Sequence, residues 1–234
     1  ASASVFVDPY AAASPESATV VETAEAGSVT VSWAPVTTDV NGNALDAANV
    51  SYMVYTIDED MNLVAVFESN VTGESVTFKA VADASKQQFV QYAVKAFNRD
   101  AVSENAATTA MVPVGQGYAL PVVYSGSAEL SYQIINTNAQ GRGFWDVYSP
   151  ENLEDAPDPV ASFDYFGCYA GSSEAYGDLS TGKIDLTSAS RPELSFYTYC
   201  LNDGDENFVE VFVVADGQTE RLGSALHSAM QPGK

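Results

Sequence analysis

The sequence predicts an all-β chain made of two β-sandwich domains, and three patterns predict it. Apolar residues recur at every second position over short runs, the period of a half-buried strand, and no stretch shows the spacing of a helix. Turn residues such as Asn41-Gly42-Asn43 and Asn202-Asp203-Gly204 punctuate those runs. Between two β-rich halves, residues 114–118 follow Pro113 and hold two glycines, as a short connection does.

The composition bounds the rest. With 234 residues, 46% of them hydrophobic and 11% aromatic, the chain can bury one large core or two smaller ones. Its apolar runs are shorter than a bilayer span, so membrane insertion is not expected. No cationic, then apolar, leader opens the sequence, and its start resembles that of an excised piece or a mature chain. Against 31 acids stand 9 bases, a net charge of -22. Nucleic acid, which needs clustered Lys and Arg, is therefore not an expected partner. Calcium, which needs hard carboxylate oxygens, is compatible with that balance. Cys168 and Cys200 are the only thiols, too few and too far apart for a zinc site. They form either one disulfide of an exported protein, contributing about 3–4 kcal/mol by loop closure, or two buried thiols. The bridge is the expectation adopted.

In the first half, residues 1–15 hold Pro9 and Pro15 and form a tail or linker. Strands are expected at 18–22, 29–33, 51–58, 63–67, 75–79, 89–98 and 108–112. Val29, Val31 and Trp33 alternate with Thr30 and Ser32, and Val90, Tyr92, Val94 and Ala96 share one face opposite Gln91 and Lys95. Seven short strands in about a hundred residues make an immunoglobulin-like sandwich. The runs VTVSWAPV, from Val29, and QYAVKAFN, from Gln91, resemble a fibronectin type III domain over residues 16–113. The resemblance implies core positions for Trp33 and Tyr92, and a hydroxyl of Tyr92 bonded back to the preceding loop. An Arg-Gly-Asp loop is absent; the chain reads Asn98-Arg99-Asp100 there.

The second half, residues 118–234, shows strand patterns at 120–124, 129–135, 143–148, 161–169, 183–186, 194–201 and 208–215. Residues 149–159, with three prolines and four acids, form a loop. Tyr118-Ala119-Leu120-Pro121, Asp178-Leu179-Ser180, Ile184-Asp185-Leu186-Thr187, Pro192-Glu193-Leu194-Ser195-Phe196 and Val209-Glu210-Val211 are similar to a MAM-like or cleaved-adhesin-type jelly roll. Such modules follow fibronectin type III domains in surface proteins of Bacteroidetes-type bacteria. The resemblance implies an extracellular or cell-surface location. The chain departs from it at Val122-Val123-Tyr124-Ser125 and in lacking an Asp-Asp-Ile closing strand, so either the jelly roll is truncated or it closes with a different strand.

Catalysis is not expected. The single imidazole, His227, sits in an Ala/Ser-rich terminal segment, and no catalytic motif accompanies it. Calcium is the inorganic candidate. Asp203, Asp205 and Glu206 crowd one acidic turn, and Asp164 and Asp185 join them by their positions in the resembled family. The alternative is a solvated turn, for which Asn, Asp and Gly are standard residues. Carbohydrate is the organic candidate. Alternation puts Val209, Val211 and Val213 on a core face, with Phe208, Glu210 and Phe212 opposite. Tyr197 and Tyr199 would join that second face, giving an aromatic surface with one carboxylate, able to stack a sugar ring or hold a surface protein. The alternative is that this face is buried too. The expected function is thus non-catalytic binding or adhesion with a fibronectin type III spacer. An accessory segment of a secreted hydrolase, or a plain spacer, is the alternative. Asn49 and Asn70 fit the glycosylation sequon, which matters only in a eukaryotic secretory host.

Overall fold

The computed structural model of the chain describes residues 10–58, 61–124, 130, 132–138, 145–148, 165–168, 175–196, 208–215 and 217–227. The fold is all-β, of β-sandwich type, with several sheets. The chain divides into two compact units. One takes the N-terminal half to Val122 together with Leu130–Gln133 and Ser180–Thr187, and the other takes the rest.

The N-terminal half contributes β1 (Ala18–Glu22), β2 (Ser28–Trp33), β3 (Val50–Ile57), β4 (Leu63–Ala65), β5 (Ser75–Lys79), β6 (Gln88–Val90) and β7 (Tyr92–Asn98). The short β8 (Ala101–Val102), β9 (Ala107–Thr108), β10 (Val112–Val114) and β11 (Tyr118–Ala119) follow. One antiparallel sheet runs β1-β2-β5, with Val31 opposite both Val20 and Val76. A second runs β4-β3-β7-β8, with β9 also paired to β7. Alternation of β-branched residues makes β2 a two-faced strand, so Val29, Val31 and Trp33 are buried while Thr30 and Ser32 are only half-buried. Those side chains and Val20 share one core with Tyr52, Val54, Tyr92, Val94 and Ala96 of the second sheet. The two sheets therefore sandwich a common core. Trp33 lies 5.1 Å from the Tyr52 ring, and Phe78 meets Tyr92 edge-on at 5.2 Å. Burial pushes the Tyr92 hydroxyl up to about 12.

The hydroxyl that bonds a loop in this core belongs to Tyr52, which accepts the Val36 N–H at 2.8 Å. The bond expected of Tyr92 is not made among the described residues; its strand is tied instead through Thr109, whose Oγ1 accepts the Tyr92 N–H at 3.1 Å. The turn expected at Asn41-Gly42-Asn43 is closed by Asp39, whose Oδ1 accepts the N–H groups of Asn41 at 2.8 Å and Asn43 at 2.9 Å.

Further along lie β12 (Tyr132–Asn138), β13 (Trp145–Tyr148), β14 (Tyr165–Cys168), β15 (Ala175–Thr181) and β16 (Ile184–Asp185). The last are β17 (Phe208–Val209), β18 (Phe212–Ala215), β19 (Gln218–Arg221) and β20 (Leu226–His227). β12 pairs β15, β13 pairs β14, β17 pairs β20 and β18 pairs β19. The strand expected at 120–124 begins earlier and ends at Ala119, and the one expected at 194–201 shows no ladder through Phe196. β19, Gln-Thr-Glu-Arg, is too polar for an apolar pattern to reveal. It is fixed by its partner β18, with Ala215 opposite Gln218 and Gly217 at φ 72° next to the ladder.

Candidate functional site

Along Phe208 to Ala215 the expected alternation is incomplete: Glu210 is half-buried like the valines beside it, and the valine face is not the buried core the sequence suggests. Val209, Val211 and Val213 are half-buried, while Phe208 is 57% exposed, Phe212 52% and Val214 70%. Phe212 stands directly across the ladder from Arg221, so both side chains occupy one face. On that face Arg221 Nη1 donates to Glu210 Oε1 at 2.6 Å. Leu222 N–H still bonds Val211 O, but the next ladder pair is Val209 with Leu226, so Glu210 faces three residues, Gly223 to Ala225. That is a bulge, with Gly223 at φ 73°, and bulges re-aim side chains beside functional sites. The result is a surface on which the exposed Phe208 and Phe212 flank Glu210 in the chain. Between them an ion pair carries no net charge. The pair is half-solvated and contributes only about 0–1 kcal/mol to stability. Glu210 Oε2 and the remaining Arg221 N–H groups are uncommitted among the described residues.

Of the sequence candidates, the structure brings Glu210 and Phe212 to Arg221, whose place follows only from the hairpin register, while Phe208 pairs with His227 two residues before Glu210. Tyr197, Tyr199, Asp164, Asp203, Asp205, Glu206 and Cys200 lie outside the described residues. Cys168 ends β14 opposite Trp145. Asp185 Oδ1 accepts both the N–H of Thr187 at 2.9 Å and its hydroxyl at 2.6 Å, an Asx-type turn. Those bonds hold the carboxyl below its ordinary value. Among the described residues no three His, Cys, Asp or Glu side chains converge as metal ligands, and no helix is long and apolar enough to cross a membrane. Neither a protein-family model nor a curated protein matches the chain.

A second constellation, invisible in the sequence, lies in the first unit. β16 runs parallel to β11, with Tyr118 opposite Ile184, and Tyr118 N–H bonds Lys183 O at 2.9 Å. The buried Gln87 amide takes both ends of the Lys183 backbone: Nε2 donates to Lys183 O at 2.7 Å, and Oε1 accepts the Lys183 N–H at 2.6 Å. Lys183 Nζ donates to Glu22 Oε2, while Glu22 Oε1 accepts the Gly115 N–H at 2.9 Å. Partial burial works to raise the Glu22 carboxyl, but the Lys183 bond, the Gly115 N–H, the Lys183 charge and the Gly27 N–H together hold it below its ordinary value. Gly115, at φ 117°, is needed there, since a Cβ would stand 2.9 Å from Lys86 O. All the polar groups of this clasp are turned on one another, so its role is to hold a chain segment rather than a ligand.

Proposed function

We propose that the chain is a non-catalytic binding module that holds an uncharged carbohydrate chain on the Phe208–Glu210–Phe212 platform. The observation that carries this reading is the pair of half-exposed phenylalanines flanking the Glu210–Arg221 ion pair. Large apolar rings left half-exposed suit the flat faces of sugar units. The paired carboxylate and guanidinium between them offer acceptors and donors to hydroxyls without selecting a charge. A net charge of -22 disfavours anionic glycans in the same direction. The first unit, with sheets ordered β1-β2-β5 and β4-β3-β7-β8 around Trp33 and Tyr92, supports the further reading of a fibronectin type III spacer. The second would then be a jelly-roll-type recognition module, working outside the cell. A glycan array probed with the full chain tests the function. Binding is expected among neutral oligosaccharides and lost with Phe212→Ala; an array with no neutral glycan bound would contradict the reading.

A further inference from the structure

We infer that the clasp on Lys183 is a non-covalent staple. By closing the chain between Tyr118 and Lys183 it stabilises the second unit, although Gln87, Glu22 and Gly115, which grip the segment, all belong to the first.

The grip falls on backbone as well as on a side chain, so it fixes register. The Gln87 side chain, in a residue only 4% exposed, meets the Lys183 N–H and O with the two ends of its amide, and the same carbonyl accepts from Tyr118 N–H. A segment shifted by one residue would lose both Gln87 bonds and carry the Lys183 ammonium away from Glu22. Departure of the segment would strip those two partners from a buried amide, which is costly.

Tyr118 and Lys183 stand about 65 residues apart in the chain, a loop length over which closure has a large entropic effect. Between them, Val123–Glu129 and Ile134–Leu179 belong to the second unit, so Ser180–Thr187 is an island of the first unit with residues of the second on both sides of it in sequence. β15 runs from the second unit into that island, and its ladder partner β12 begins at Tyr132, also grouped with the first unit. With the clasp shut, the unfolded form of this stretch is a loop held at both ends. With the clasp open it is held at one end only. The closed loop has fewer conformations, so the folded form gains, by the chain-entropy effect ascribed to a disulfide. The gain has a ceiling, because a loop that cost more than the clasp contributes would open it.

The test is native-state hydrogen exchange of the full chain at neutral pH, read at the amides of β13 and β14, which lie inside the loop and outside the first unit. Gln87→Ala should quicken exchange there about tenfold or more, while Val31 and Val94 in the core of the first unit keep their rates. Glu22→Gln, which removes the ion pair and leaves the Gln87 bonds, should quicken the same amides by a smaller factor, and it serves alone if Gln87→Ala does not fold. Rates in β13 and β14 that neither variant changes would make the clasp a local fastening and overturn the inference. Equal quickening at Val31 and Val94 would overturn it too, since the chain would then open as one cooperative fold.

Discussion

Glu22 is the residue whose ionisation the first unit feels. Its carboxylate ties β1 to Gly115 and to Lys183, and its folded-state pKa lies below the ordinary 4.5. A carboxylate depressed in this way adds stability that is complete above the unfolded value and lost as pH falls through the folded one. The expected outcome is a wild-type melting temperature that drops below about pH 4.5 more steeply than that of Glu22→Gln. At neutral pH the variant should be less stable by about 1 kcal/mol, a figure kept low because Lys183 is partly solvated. Parallel curves for the two proteins would show that the bond contributes nothing. No sequence pattern announces this contact, because the partners lie 161 residues apart and each looks like an ordinary solvated charge. Residues whose role is burial were legible, by contrast. Trp33 and Tyr92 announce themselves through the alternation around them, and both are core.

At the scale of elements, alternation revealed strands that bury one face and missed those that do not. β2 and β7 read plainly because apolar and polar residues trade places along them. β15, with Gly177 and Asp178 in its middle, and the polar β19 are made strands by their partners. The platform shows the same division. Phe208, Glu210 and Phe212 share a face by period alone, whereas Arg221 and the bulge that aims Glu210 depend on register. β16, within the strand expected at 183–186, is two residues beside β11, and the Gln87 amide holds Lys183 just before it. Gln87→Ala should free the Lys183 N–H and remove one bond from its carbonyl, costing roughly 1–3 kcal/mol. Hydrogen exchange should then quicken at Tyr118 and Lys183 while Val31, Val54 and Val94 keep their protection. Equal loss at all five positions would mean that the clasp is not a separate element.

For the whole molecule, the sequence places a boundary near residues 114–118, and the compact units group Ser180–Thr187 with the N-terminal half. Local composition marks a connection but not a distant segment that returns to it. The net charge of -22, legible from the start, bears on function at this scale, because it repels anions at long range and is indifferent to a neutral ligand. Binding on the platform would thus depend on aromatic contact and not on charge. The measurement that tests it most directly is calorimetric titration of the full chain with a neutral oligosaccharide selected on the array, at low and at high salt. The expected affinity stays flat with salt and falls about two- to tenfold with either Phe208→Ala or Phe212→Ala, consistent with roughly 0.5–1.5 kcal/mol of stacking per ring. An affinity that both variants retain, or one that changes steeply with salt, would contradict it.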